Sequence, residues 1–215
     1  MINWGIIGPG GIARVFCNGL RFSKTGKATA VASRDRSKAE AFAAAFDIET
    51  VHESYDALLA DHSVEAVYVA TIHPAHLDIV TRLAQAGKHI LVEKPMGMNS
   101  REVSAMIAAA RSNDVFLMEA FMYRHHPQWQ KAQALVTSGG IGRLRAIQSF
   151  FSYYNDDPGN IRNIASKGGG ALMDIGCYPI SLSRFIFGGE PHRVSGFVER
   201  DPSFRTDRLS SGVLE

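Results

Sequence analysis

Apolar positions in the first half of the chain come in short runs, and each run is followed by a stretch with helical spacing. Ile2–Ile7 predicts a short strand buried on both sides, stopped by Gly8-Pro9-Gly10-Gly11. Ile12–Phe22 has helical character, and Lys27–Ser33 predicts a second strand. Ser37 precedes an Ala-rich helical stretch, and Glu40 follows three residues later, which predicts a capping box. Val51 ends a short third strand, and Ser54 caps a helix over Tyr55–Ala60. Glu65–Ala70 is the next strand. Pro74 opens a helix to Ala86, closed by Gly87, and His89–Val92 is another strand. Ser100 caps a helix to Arg111, and Val115–Met118 begins one more strand. This alternation predicts a parallel sheet with helices on both faces.

After residue 120 the rhythm changes. Gln130–Ser138 reads as a helix ending at Gly139-Gly140. Arg143–Tyr153 alternates in part and predicts a strand of a different sheet, followed by a polar loop to Gly170. Ala171–Phe187 reads as a helix interrupted at Pro179. Pro191–Glu199 predicts a strand, and Leu209–Leu214 starts another. The expected architecture is α/β: an N-terminal Rossmann domain over 1–120 and an α+β domain with an open sheet over 121–215.

Composition narrows the function classes. The 215 residues are 46% hydrophobic and carry a formal charge of +2, so the chain can fill a core and has no electrostatic case for nucleic acid or an anionic membrane. Cys17 and Cys177 are its two cysteines, too few for a disulfide framework or a Cys-rich metal site. No apolar run approaches the roughly 18 residues that span a bilayer. The start runs directly into a glycine turn and does not read as a secretion signal. The expectation is a soluble, cytoplasmic protein with no metal.

The chemistry begins at Gly8, Gly10 and Ala13, which fit G-x-G-x-x-G/A between a strand and a helix. The first glycine permits the turn, the second admits a pyrophosphate, and the small third residue lets helix and strand pack. The structural alternative is a plain turn. Ser33 and Arg34 end the second strand where an NAD site usually carries an acid, so a 2′-phosphate, and with it NADP, is preferred to NAD. The alternative is that Arg34 is a solvated arginine and Asp35 reaches the ribose. Thr71 and His73 follow the fourth strand, at the edge where such sheets bind ligands. Thr71 has a competing role as a cap for the Pro74 helix. His62 and His76 read as surface histidines.

Glu93-Lys94-Pro95 follows the fifth strand. Lys94 there can hold a substrate hydroxyl, with Glu93 orienting it. The alternative is a solvated ion pair, and the Lys-Pro bond is a candidate for the cis form. Further on, Gly168-Gly169-Gly170 precedes Asp174, Gly176, Tyr178 and Pro179. Asp174 and Tyr178 are four apart and would share a helix face. A tyrosine takes a proton from an alcohol only if a cation stabilises its phenolate; a buried packing role is the alternative for Tyr178.

These pieces together resemble a known family. GIIGPGGIA at 5–13, TIHPAH at 71–76, EKP at 93–95, EAFMYRHHP at 119–127 and GGGALMDIGCYP at 168–179 are similar to the glucose-fructose oxidoreductase, inositol dehydrogenase and rhizopine-catabolism dehydrogenase family (Gfo/Idh/MocA). The nearest branch contains dihydrodiol dehydrogenase and D-xylose 1-dehydrogenase. The resemblance implies NADP held by Gly8, Gly10, Gly11, Ile12, Ala13, Ser33, Arg34, Thr71, His73, Glu93 and Lys94. It implies Lys94, Tyr178 and Asp174 as catalytic residues, with Tyr178 in the acid/base role that many relatives give to a histidine. It implies Arg124, Asn160 and Arg162 as substrate contacts. The expected activity is hydride transfer between NADP and a sugar, polyol or dihydrodiol, with the anomeric carbon of an aldopyranose favoured. A reductase of a ketose or anhydro-sugar is the runner-up, and a non-catalytic nucleotide-binding or assembly protein the rival. The expected partners are a small-molecule substrate and further copies of the chain, in a dimer or larger homo-oligomer joined through the second sheet. Relatives run well beyond Glu215, so the second domain is expected to be incomplete.

Overall fold

Strand and helix alternate from Ile2 to Glu119, and every strand pairs in parallel with its neighbours. The computed structural model describes residues 1–215 and contains two units, Met1–Ala120 and Phe121–Glu215. The first unit runs β1 (Ile2–Ile7), α1 (Gly11–Leu20), β2 (Gly26–Ala32), α2 (Arg36–Phe46), β3 (Thr50–His52), α3 (Tyr55–Ala60), β4 (Ala66–Val69), α4 (His76–Gln85), β5 (His89–Val92), α5 (Ser100–Ser112) and β6 (Leu117–Glu119). The sheet order is β3-β2-β1-β4-β5-β6. The order reverses between β1 and β4, which opens the crevice where doubly wound sheets take ligands.

Two cores cover the sheet because successive strand residues point to opposite faces. Ile7, Ala32, Val67, Val69 and Val92 pack with Leu58, Val80, Leu83 and Met106 of α3, α4 and α5. Ile6, Val31 and Tyr68 pack on the other face with Ala13, Cys17, Ala39 and Phe42 of α1 and α2. The unbroken apolar run of β4 follows from burial on both sides: all four of its residues are buried.

Capping differs from the expectation at two helices. Asp35, not Ser37, caps α2 and accepts from the Lys38 backbone N–H. Asn99, not Ser100, caps α5 and accepts from the N–H groups of Arg101 and Glu102. In both, a carbonyl-type side-chain oxygen upstream of the serine reaches the first-turn amides. Ser54 caps α3 as expected.

The second unit contains α6 (Pro127–Thr137), a π-helical turn (Leu172–Gly176), α7 (Cys177–Phe187), β7 (Val194–Arg200) and β8 (Asp207–Leu214). β7 and β8 form an antiparallel pair with Val194 opposite Leu214, an open sheet of two strands. Arg143–Tyr153 forms no strand: its alternation suits a pleated surface, but no partner strand supplies a ladder. The helix is not interrupted at Pro179, which lies within the first turn of α7, where its missing N–H is not required. The irregularity lies one turn earlier, in the π segment. No helix is long and apolar enough to cross a membrane.

Candidate active site

The turn between β1 and α1 contains two kinds of glycine. Gly8 has φ +85°, and a Cβ there would lie 2.8 Å from the Ala70 carbonyl oxygen, so a side chain is excluded by conformation and by space. Gly11 faces open space, and its backbone is open to approach. Gly10 stands at the N-cap of α1, which has neither a side-chain cap nor an acid in its first turn. Helix N-termini leave amide groups to be satisfied from outside. With Ile12 on the surface and Ala13 fully buried, this end of α1 suits a phosphate.

At the tip of β2, the Ser33 hydroxyl accepts from the Asp35 N–H at 3.1 Å. Asp35 accepts from the Lys38 N–H at 3.2 Å and from the Ser37 hydroxyl at 2.8 Å. These bonds hold the Asp35 carboxyl below its usual range, the Ser37 bond contributing most. The carboxylate is thus occupied with the helix, against the alternative that it reaches a ribose. Arg34 is exposed and lies beside Tyr55, whose hydroxyl is pushed up by burial and pulled back by Arg34.

Past β4, the Thr71 hydroxyl is buried with no hydrogen-bond partner. It therefore caps no helix, and it is the kind of orphaned group that a bound ligand satisfies. His73 is half-buried, its ring 6.0 Å from that of His76. His76 corrects an expectation: it is fully buried rather than on the surface. Its ring nitrogens face the carbonyls of Thr71 at 3.1 Å, Pro95 at 3.2 Å and Met96 at 3.1 Å. Backbone carbonyls that can take its N–H hold inside a ring that hydropathy alone places outside. His62 is exposed, as expected.

Lys94 follows β5, and its bond to Pro95 is cis. Glu93 is buried; it accepts from the Tyr68 hydroxyl and from the Lys94 backbone N–H, the latter at 3.3 Å. Burial pushes its carboxyl above the usual range, opposed by the Tyr68 bond and then the Lys94 bond. Tyr68 is itself stacked on Phe16 at 4.1 Å. Glu119 accepts from the Met96 N–H at 2.7 Å, so acids hold the backbone on both sides of the turn. Tyr68 and Glu119 escaped the sequence reading because nothing in strand patterning separates them from core residues.

In the second unit the three glycines seat a helix. Gly168 has φ +75°. A Cβ on Gly169 would lie 2.5 Å from the Arg162 carbonyl oxygen, and one on Gly170 would strike the Asp207 carboxylate. Asp207 accepts from the Leu172 N–H at 2.5 Å, at the start of the π turn. That turn widens the helix locally between Asp174 and Tyr178. Asp174 is buried and accepts from the Tyr153 hydroxyl at 2.5 Å and from Arg162 Nε at 2.8 Å. Burial, then Asp174, pushes the Tyr153 hydroxyl up. Asn160 accepts from the Arg162 N–H at 3.1 Å. Asn160, Arg162 and Asp174 thus form one network, to which Tyr153, from the end of the Arg143–Tyr153 segment, is an addition.

Tyr178 is half-buried, with ring centroids of Phe121, Phe151 and Tyr123 at 5.5, 5.8 and 6.1 Å. Its hydroxyl lies 3.6 Å from Met122 Sδ. Tyr123 shares a hydrogen bond with Ser181 at 2.7 Å, and the Arg124 guanidinium lies over Phe185 at 4.9 Å.

Residues 2–121 match the model of the GFO/IDH/MocA oxidoreductase family with an NAD-binding Rossmann fold. The chain belongs to this family. Residues 129–215 match a C-terminal domain of the same GFO/IDH/MocA group. Among curated relatives, mouse trans-1,2-dihydrobenzene-1,2-diol dehydrogenase is 39% identical over 90% of this chain and 59% of its own. D-xylose 1-dehydrogenase (NADP(+)) 2 of Haloferax volcanii is 38% identical over 99% of this chain and 65% of its own. Among solved structures, the 3-ketoreductase KijD10 of Actinomadura kijaniata, complexed with NADP and TDP-benzene, matches with a TM-score of 0.86 and 33% identity, over 96% of this chain and 63% of its own. The chain therefore spans less than two thirds of the length of these GFO/IDH/MocA proteins.

Proposed function

We propose that this protein is an NADP-dependent oxidoreductase that moves a hydride between the nicotinamide and a hydroxyl-bearing carbon of a sugar, polyol or dihydrodiol, the anomeric carbon of an aldopyranose being favoured. The observation that carries the reading is the similarity, over nine tenths or more of the chain, to a dihydrodiol dehydrogenase and a xylose dehydrogenase. The Asp35 carboxylate, bonded to its own helix, supports NADP over NAD, because the exposed Arg34 guanidinium and the Ser33 hydroxyl proton suit a 2′-phosphate better than a ribose hydroxyl.

Residues 1–120 take the cofactor in this reading and residues 121–215 the substrate. The uncapped α1 end with Gly8, Gly10, Gly11, Ile12 and Ala13 holds the pyrophosphate, and Thr71, His73 and Glu93 line the rest. When bound, the nicotinamide accepts or supplies the hydride. Lys94 holds the substrate oxygen with its ammonium, and Tyr178 exchanges the hydroxyl proton. A phenol with a reference pKa of about 10 needs such a cation to serve as a base. Asp174, fixed by Tyr153 and Arg162, accepts from a second substrate hydroxyl, and Arg124, Asn160 and Arg162 complete the substrate contacts.

The opposite direction, reduction of a ketose or anhydro-sugar, is favoured by the similarity to a 3-ketoreductase. We further assign the protein to the cytoplasm, in keeping with its two free cysteines. We assign it a homo-oligomeric state through β7 and β8, where Val194, Phe197 and Val213 are exposed. The test is NADPH formation with a panel of aldoses, inositols and trans-dihydrodiols, set against NADPH oxidation by the matching ketones. Turnover in one direction at least is expected; NADP binding with no turnover on either panel would overturn the reading in favour of a non-catalytic binding protein.

A further inference from the structure

His76 has no place in the chemistry above, yet it is the one histidine with no exposed surface. It opens α4, and its ring lies between two loops that leave adjacent parallel strands. The Thr71 loop leaves β4, and the loop carrying Lys94 leaves β5. Nε2 lies 3.1 Å from the Thr71 carbonyl oxygen, while Nδ1 lies 3.2 Å from that of Pro95 and 3.1 Å from that of Met96. All three partners are acceptors, and burial pulls the ring's pKa down, toward the neutral form with a single N–H; on Nδ1, where the Pro95 and Met96 carbonyls converge, that proton has two acceptors.

A buried ring is a costly way to satisfy carbonyls if packing alone is wanted, since an aliphatic side chain fills the same volume without polar atoms. What the imidazole adds is a donor held by a rigid ring at the start of α4. Its Nδ1 meets the carbonyls of the two residues directly after Lys94, and the ring's own backbone follows the loop with the orphaned Thr71 hydroxyl. Glu119 holds the same turn from its other flank through the Met96 N–H at 2.7 Å. Met96 is thereby fixed at both its carbonyl and its amide.

We propose that His76 is a positioning residue for Lys94: standing at the start of α4, directly after the Thr71 loop, it bonds through Nδ1 to the carbonyls of Pro95 and Met96, ties the Lys94 loop to the Thr71 loop and so sets where the lysine ammonium stands. This role rests on the chemistry proposed for Lys94, but the tie itself does not. Loss of the donor frees the loop without removing any group that touches substrate. A fall in kcat with KM for the substrate little changed is the expected signature of a misplaced catalytic group.

The experiment uses His76→Phe, which keeps a buried ring and removes the N–H donor, in the full-length protein. Amide hydrogen exchange reads the tie without any need for turnover. Exchange over residues 93–98 and 71–73 is expected to rise roughly five- to tenfold while the rest of the sheet is unchanged. Turnover reads the positioning role through a double-mutant cycle with Lys94→Ala. If His76 acts through Lys94, the double variant is no slower than Lys94→Ala alone. Unchanged exchange in the two loops, a uniform rise across the whole unit, or losses that multiply in the double variant would each overturn the proposal. Should His76→Phe not fold, His76→Leu, an aliphatic side chain with no donor, carries the same comparisons. A wild-type protein without turnover would sink the proposed function, while the exchange data would still decide the tie.

Discussion

Asp35 accepts from the backbone N–H of Lys38 at 3.2 Å and from the Ser37 hydroxyl at 2.8 Å, and these bonds turn the acid just past β2 toward its own helix. Two variants separate the consequences. Asp35→Ala removes the cap of α2 and is expected to lower the melting temperature while leaving the preference for NADP over NAD intact. Arg34→Ala is expected to weaken NADP binding by roughly ten- to a hundredfold, the range of a lost charge-assisted bond, with little change for NAD. Calorimetric titration with both nucleotides checks each outcome.

Tyr178 and Lys94 stand on different supports, and their variants should fail differently from structural ones. Tyr178→Phe keeps the ring contacts to Phe121, Phe151 and Tyr123 and is expected to lower kcat by roughly 10²–10⁴ with the melting curve unmoved, as removal of a general acid/base does. A fully active Tyr178→Phe protein would remove the residue from the mechanism.

The glycine run before the π turn was visible in the sequence as a motif, but its reason was not. Gly170 passes directly over the Asp207 carboxylate, which holds the Leu172 N–H. Gly170→Ala is expected to displace that carboxylate and destabilise the start of the helical segment that carries Asp174 and Tyr178. Circular dichroism melting and kcat should fall together, unlike the Tyr178 case.

Glu93 offers a test by pH. Its carboxyl is raised above the ordinary 4.5 by burial, so the folded protein holds this proton more tightly than the unfolded chain. The resulting stability is fully present below pH 4.5 and is lost as pH rises through the raised folded value. Glu93→Gln keeps an acceptor for the Tyr68 hydroxyl and removes the titration. The difference in unfolding free energy between variant and wild type is therefore expected to move in favour of the variant as pH rises from 4.5 to neutrality. Denaturant melts across that window check the sign, and a flat difference contradicts the assignment.

The first unit was largely legible because each of its signals is local. Strand runs, Gly87 and Ser54 act on their own neighbours, and β5 falls where its apolar run does. The errors also have local causes. Ser37 and Ser100 are good caps, but Asp35 and Asn99 stood closer to the free amides. His76 was misplaced because its burial comes from carbonyls of a loop some twenty residues away, which no window over the sequence contains. The second unit is less legible in sequence. Alternation along Arg143–Tyr153 cannot say whether a partner strand exists, and a π turn has no composition of its own. For the site, motif positions named Asp174 and Arg162, whereas the bond between them, and the Tyr153 hydroxyl beside it, appear only once the loop is folded.

The central claim is hydride transfer to NADP, and isotope transfer tests it most directly. An aldose deuterated at its anomeric carbon, incubated with the protein and NADP in ordinary water, should yield NADPH carrying the deuterium, as read by mass spectrometry. The unlabelled aldose in heavy water should yield NADPH without it. Label absent from the nucleotide in the first reaction, or acquired from solvent in the second, would contradict the account.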